Sequence, residues 1–304
     1  MWLEIQIFGF RALWSPYFIA FVLFLGILYY LVTGPYRHKY TNAGRPTVFQ
    51  QFSFYSGLIL LYIIKGSPVD LLSHIMLSAH MIQTALLYFL FPITMIKGIP
   101  KWIWKKIIFL PKLKNIINFF TKPLISLFFF SSILAIYHVP FIFDLSKSSK
   151  FAHASILIFI LITAFFFWWP ILTPFKEQDT LMPLLKIVYL VASAAIITLP
   201  CALIIFAQKP LFMAYSAEGA WLQAMALCVP GDVLTGLASS ISGPEMFSPF
   251  SLIHDQQLGG IVMMFTQQII YGITFGRIFF NWSKENRQTI DPLPEKINQE
   301  TQNS

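Results

Sequence analysis

About seven apolar runs, each nearly as long as a bilayer is thick, constrain this chain most strongly. A helix of about 20 apolar residues crosses a hydrocarbon core of roughly 30 Å. The runs are Ser15–Thr33, Gln50–Ile64, His74–Met95, Lys122–Phe143, Phe151–Leu172, Leu184–Phe206 and Leu258–Phe280. With 57% hydrophobic and 11% charged residues, the 304-residue chain lacks the polar surface of a soluble globule. The sequence therefore predicts an all-α, polytopic membrane helix bundle.

The basic residues are distributed unevenly among the predicted loops. Most of them lie in "PYRHKYTNAGRP", in "KGIPKWIWKKIIFLPKLKN" and in the C-terminal tail. Loops rich in Lys and Arg stay in the cytoplasm, so the sequence predicts an N-out, C-in orientation. The formal net charge of +8 is then a topology signal and a preference for anionic membrane lipid, and it requires no nucleic-acid partner.

The predicted domain organisation is simple. Residues 1–282 form one seven-helix transmembrane domain, in which residues 207–257 make a long extracellular loop with a short helix near Gly219–Leu227. The tail at 283–304 is polar and interrupted by proline, which predicts a disordered cytoplasmic segment.

Histidines gather at the predicted outer ends of the spans. Only His38 of the six histidines falls on the cytoplasmic side, and the others are His74, His80, His138, His153 and His254. Ionisable groups are costly in lipid, so they normally face a bundle interior or a wet cavity and mark a functional site. We therefore expect His80, His138 and His153 to lie close together near the outer face, with Asp255 and Gln256 at its rim.

The stretch "SAHMIQ" places polar residues inside the third apolar run. At helical spacing, Met76, His80 and Gln83 share one face. Imidazole and thioether groups suit copper, and ligands of this kind can also release the ion. The same residues equally fit a histidine that hydrogen-bonds a neighbouring helix and a methionine that fills space. In the seventh run, the pair Gly259–Gly260 predicts close approach of a neighbouring helix.

Four stretches carry a resemblance to a known family. They are "GSPVDLLSHIMLSAHMIQTALLYFLFPITMIKGIP", "YHVPFIFD", "FAHASILIFILITAFFFWWPIL" and "HDQQLGGIVMM". In order and spacing they resemble the motifs of the cytochrome c oxidase assembly factor CtaG family of Gram-positive bacteria. The resemblance runs from about Gly66 to Met264. It implies a seven-span plasma-membrane protein, without enzymatic activity, that acts on the catalytic subunit of a heme-copper oxidase.

The resemblance also implies a role in copper delivery to the CuB site of that subunit, with copper bound transiently. Matched position by position, it makes His80, His138 and His153 the predicted copper ligands. The supporting candidates are Met76, Gln83, His74, His254, Asp255 and Gln256. Thr84, Ile156 and Leu157 occupy positions at or near which many family members carry histidine.

Two other classes of function stay open on the sequence alone. A metal or small-solute transporter needs a polar path across the whole bilayer, whereas the inner halves of these helices offer little beyond Thr198, Gln267 and Thr274. An intramembrane enzyme needs a nucleophile beside a base, whereas Ser78 and His80 diverge on a helix, being two residues apart.

Overall fold

The computed structural model describes residues 5–40, 43–108, 110–237 and 246–290, and they are almost entirely helical with no β-strand. Among these described residues, six helices are long and apolar enough to cross a membrane, or seven if a bent pair is counted as one span. The predicted all-α membrane bundle is thereby confirmed. The inside–outside orientation stays a prediction from the charge distribution.

The spans are numbered here along the chain. They are the first (Gln6–Thr33), second (Val48–Gly66), third (Leu77–Gly98), fourth (Pro123–Tyr137), fifth (Lys150–Leu172), sixth (Pro183–Phe206) and seventh (Leu252–Asn286). The fourth forms the bent pair with Lys114–Phe120, at an angle of 77°. Shorter helices cover Pro68–Ile75, Lys101–Ile108, Pro140–Lys147, Met213–Ser216, Glu218–Met225 and Gly231–Leu237.

Two spans contain local variations. The first combines the 3₁₀ turn Gln6–Phe8 with helices Gly9–Trp14 and Pro16–Thr33, and the third contains a π-helical segment at Leu86–Leu90 between Leu77–Ala85 and Phe91–Gly98. Further 3₁₀ turns lie at Pro35–Lys39 and Lys176–Gln178. The seventh continues as a helix to Ile290.

The predicted third run, His74–Met95, is not one helix. Helix Pro68–Ile75 ends at Met76, whose backbone is extended (φ −123°, ψ 132°), and a new helix starts at Leu77. The prediction that Met76 shares a helix face with His80 and Gln83 is therefore wrong, because Met76 precedes the helix that carries the other two. His74 and His80 lie on two different helices, so their separation is not set by helical rise.

A second break lies at His138, where the sequence predicted one helix over Lys122–Phe143. The fourth span ends at Tyr137, and Pro140 begins the next helix. Proline lacks the amide N–H that would bond to the carbonyl four residues back, so it favours the first turn of a new helix over the interior of one. The turn at His138 and Val139 brings the histidine to the end of the bundle.

The loop and the tail also differ from their predicted bounds. Helix Glu218–Met225 confirms the short helix predicted near Gly219–Leu227. The seventh helix starts at Leu252, so residues 252–257 belong to it and not to the loop. It also runs to Ile290, eight residues into the segment predicted to be disordered, and the rest of that segment lies outside the described residues.

The glycine pair in the seventh span does allow close packing, as the sequence predicted. A Cβ atom on Gly259 would lie 3.2 Å from the backbone nitrogen of Ser78, and one on Gly260 would lie 3.1 Å from the carbonyl oxygen of Cys201. The seventh span therefore packs directly against the start of the third span and against the sixth. This contact positions the residues that precede Gly259 beside the break at Met76.

Candidate functional site

Four of the predicted histidines are buried at one end of the bundle. His74 is 2% exposed, His80 1%, His138 3% and His153 8%. They come from four elements: the helix that precedes the third span, the third span itself, the turn after the fourth span, and the start of the fifth. Buried imidazoles need partners, because an unpaired polar group in an apolar interior is costly.

His74 and His153 form the closest pair of imidazoles. Their ring centroids are 5.6 Å apart, with an angle of 67° between the ring planes. Nε2 of His74 and Nδ1 of His153 are both buried and have no hydrogen-bond partner. The sequence made His74 only a supporting candidate, whereas the geometry makes it the partner of His153.

Backbone carbonyls fix the tautomers of two of these histidines. Nδ1 of His74 lies 2.8 Å from the carbonyl oxygen of Asp70, and Nδ1 of His138 lies 2.7 Å from that of Leu134. A carbonyl oxygen only accepts, so each Nδ1 carries the proton and each Nε2 presents a lone pair when the ring is neutral. Burial lowers the pKa of His74 well below its usual value, and that of His138 to about 4. Both rings are therefore neutral at physiological pH.

His80 and His138 lie on either side of Tyr137. The Tyr137 ring centroid is 6.0 Å from that of His80 and 5.3 Å from that of His138. Nε2 of His80 lies 3.2 Å from the Thr84 hydroxyl and 3.3 Å from the Tyr137 hydroxyl, whereas its Nδ1 has no partner. Ring contacts thus sort the histidines into two groups, the pair His74–His153 and His80 with His138 around Tyr137, while His80 also interacts electrostatically with the other three.

Lys147 is the functional candidate that the sequence did not predict. It is 2% exposed, its Nζ has no hydrogen-bond partner, and it lies 5.6 Å from the ring centroid of Phe143. Burial is the largest cause that lowers the pKa of its amine to about 7, and the positive charge of Lys65 is the second. The negative charge of Asp70 acts in the opposite direction. Lys147 and Phe143 lie four residues apart on one helix and so share a face. This spacing is the one feature of the sequence that could have predicted the burial of Lys147.

Gln83 has a structural role beside these groups. Its side-chain amide donates to the carbonyl oxygen of Ile64 at 2.5 Å and to Oδ1 of Asp70 at 2.8 Å. The same carboxylate forms a salt bridge with Lys65, at 2.5 Å. These contacts join the end of the second span to the third span. They occupy both donors of an amide that the sequence predicted to support a metal.

Asp255 and Gln256 serve the backbone. Asp255 accepts a hydrogen bond from the amide of Leu77 at 2.6 Å and another from the Ser78 hydroxyl, so it caps the helix that begins at Leu77. Gln256 accepts from the amide of Leu211 at 2.7 Å. The remaining supporting candidate, His254, is exposed and lies outside both histidine groups.

Within the described residues, no three His, Cys, Asp or Glu side chains come together as a group able to hold a metal ion. These described side chains therefore offer a metal ion at most two imidazole ligands at one place. Two imidazoles on one ion place their centroids about 6 Å apart, because metal–nitrogen bonds are about 2 Å. The separation of His74 and His153 fits such a contact.

Lys147 predicts a pH-dependent stability. Its amine has a folded pKa of about 7 and an ordinary value of 10.5, so the unfolded chain binds more protons between these values. Stability should therefore rise from pH 7 to pH 10, by up to about 5 kcal/mol from this residue. Lys147→Met should remove most of that rise in thermal unfolding measured in detergent, whereas the exposed Lys150→Met should keep it. Parallel pH profiles for all three proteins would contradict the burial of a free amine.

The fold and these groups define a class: a multi-span helical membrane protein with paired, neutral imidazoles and a buried amine at one end of its bundle. Residues 10–285 match the family model described as cytochrome c oxidase caa3 assembly factor (Caa3_CtaG). The chain belongs to this family of oxidase assembly factors, and the resemblance seen in its motifs is confirmed. Neither the curated proteins nor the solved structures contain a match.

Proposed function

We propose that this assembly factor carries copper to the CuB site of the oxidase's catalytic subunit, in the plasma membrane and without catalysing a reaction. Membership of the family supplies the assembly role. The observation that carries the copper proposal is the pair of unpartnered nitrogens, Nε2 of His74 and Nδ1 of His153, on rings 5.6 Å apart.

The chemistry of the pair suits a copper cargo. Neutral imidazole binds copper without bringing a net negative charge into the bundle. Nδ1 of His74 donates to the Asp70 carbonyl oxygen, and a bond of this kind orients a ligating ring in metal sites. Nδ1 of His138 makes the same type of bond with Leu134. Both rings are held ready to ligate before an ion arrives.

The surroundings of the pair favour release. Lys147 acts electrostatically on His74 and on His153, so a bound copper cation would share this region with a buried amine. A two-imidazole contact beside an amine that is about half protonated near pH 7 holds an ion less firmly than a closed site of three or four ligands does. His80 and His138 stand across Tyr137 as the next available imidazoles. We propose that they receive the ion on its way to the oxidase.

The alternatives fit the structure less well. For an enzyme, the sequence offers Ser78 and His80 as nucleophile and base, but the Ser78 hydroxyl donates to Asp255. That carboxylate also accepts from the amides of Leu77 and Ser78, so it serves as a helix cap. For a transporter, a continuous polar path would need to cross the bundle. Below the histidines, the buried hydroxyls of Ser131, Ser193 and Tyr271 bond to one another. They are packed among the buried rings of Phe89, Phe130 and Phe167.

Direct measurement of copper binding tests the proposal. Purified protein in detergent is titrated with Cu(I) under reducing conditions, in competition with a coloured chelator. We expect His74→Asn combined with His153→Asn to weaken binding at least tenfold, since loss of even an outer partner of a ligand costs about 10- to 100-fold.

The matched control combines His38→Asn with His254→Asn, which removes two exposed histidines. This variant should bind copper like the unchanged protein. Equal loss of binding in both double variants would show that copper associates with any histidine of the chain. Unchanged binding in the first variant, with a normal unfolding temperature, would rule out the pair as the copper site.

A further inference from the structure

A cationic cleft lies between the start of the second span and helix Lys101–Ile108, at the end of the bundle opposite the histidines. It has a volume of about 580 Å³ and is lined by Arg45, Lys101, Lys105 and Lys106, together with Gln50 and Trp102. None of its lining residues is acidic. The cleft is therefore positive throughout, at the end of the bundle for which the sequence predicts a cytoplasmic location.

Aromatic contacts give the cleft a defined wall. Nε1 of Trp102 donates to the carbonyl oxygen of Gly44 at 3.2 Å, and the Trp102 and Tyr40 ring centroids are 5.3 Å apart. Nζ of Lys106 lies 3.9 Å from the Tyr40 ring centroid. These contacts tie the loop before the second span to helix Lys101–Ile108. The contact with the Tyr40 ring holds the Lys106 side chain at the wall of the cleft, whereas an exposed lysine without such a contact moves freely.

Two helices begin at the cleft. The second span starts at Val48 and is capped by Thr47 and Gln50, which bond to each other's backbone amides at 3.2 Å and 2.9 Å. The other helix starts at Lys101. Helix N-termini carry partial positive charge and favour anions, phosphate among them. They add to the charge of the four cations.

We propose that this cleft binds the phosphate headgroup of an anionic phospholipid, such as phosphatidylglycerol. Apolar side chains at its edge distinguish a lipid from free phosphate: Val48 is 83% exposed and Phe49 60% exposed, and both immediately precede Gln50. When the headgroup of a lipid lies among the cations, its acyl chains contact Val48 and Phe49. Basic pockets at the membrane surface recognise anionic headgroups in this way. The proposal does not depend on copper delivery.

Native mass spectrometry of the full chain tests this site. The protein is titrated with dioctanoyl phosphatidylglycerol and, separately, with dioctanoyl phosphatidylcholine. We expect clearly tighter binding of the anionic lipid. Lys105→Gln combined with Lys106→Gln should weaken it by about 25-fold, since each cation near an anionic lipid contributes about fivefold.

The matched control is Lys112→Gln combined with Lys176→Gln, which removes the same charge from exposed residues outside the cleft. It should weaken binding less than threefold. Equal weakening by both pairs would overturn the proposal in favour of diffuse attraction by net charge. Equal binding of the two lipids would overturn it as well. Displacement of phosphatidylglycerol by millimolar inorganic phosphate would overturn the assignment to a lipid, because the phosphate group alone would then account for binding.

Discussion

Oxidase assembled with the His74→Asn, His153→Asn variant should contain its heme and lack most of its CuB copper. Since the two unpartnered nitrogens are the proposed copper contacts, the variant has nothing at that position with which to hold the ion. The proposal gives this factor no part in heme insertion, so the catalytic subunit should still accumulate. We expect oxygen consumption per heme to fall below about a tenth of normal, in line with the affinity lost at a metal ligand.

The measurement is the copper-to-heme ratio and the turnover of oxidase purified from cells whose only copy of the factor carries the change. His254→Asn is the control, because this exposed histidine lies outside both groups. A full copper complement with normal turnover would make the pair a structural contact. Loss of the whole catalytic subunit, heme included, would indicate that the factor holds the nascent subunit and does not deliver copper.

The sequence predicted the bundle well because each span is encoded locally. Apolar length and flanking residues are enough to place a helix in a bilayer, and the fifth and sixth spans differ from their predicted bounds by one residue at the start. The histidines were also found, since an ionisable group in an apolar run is conspicuous in sequence. What the sequence could not provide was the grouping of those histidines.

The grouping depends on breaks that are set by distant residues. Nothing near Met76 announces a helix end, because the cap that starts the next helix is Asp255, 178 residues away from Leu77. That break separates His74 from His80 and turns His74 towards His153. Lys147 was missed for a related reason: a lysine between serines resembles an interfacial residue until the packing of Phe143 and Tyr215 covers it.

Asp255 also gives a prediction about stability, since the structure makes it a helix cap where the sequence made it a supporting metal ligand. Its carboxylate accepts from the Leu77 amide at 2.6 Å, from the Ser78 amide at 3.4 Å and from the Ser78 hydroxyl. Asp255→Ala leaves these donors buried without an acceptor. Each such donor costs about 1–3 kcal/mol, so we expect a loss of about 3 kcal/mol in unfolding free energy.

Asp255→Asn should cost about half as much, because its amide oxygen still accepts from Leu77 while the charge is lost. Thermal unfolding in detergent ranks the stabilities of the two variants. Asp232→Ala is the control, because Asp232 is exposed and its loss should change the unfolding free energy by no more than about 0.5 kcal/mol. A cap and a ligand predict different results. An alanine variant that unfolds normally but binds less Cu(I) would make Asp255 a metal ligand. Loss of stability before any copper is added identifies the cap, because the hydrogen bonds to Leu77 and Ser78 require no ion.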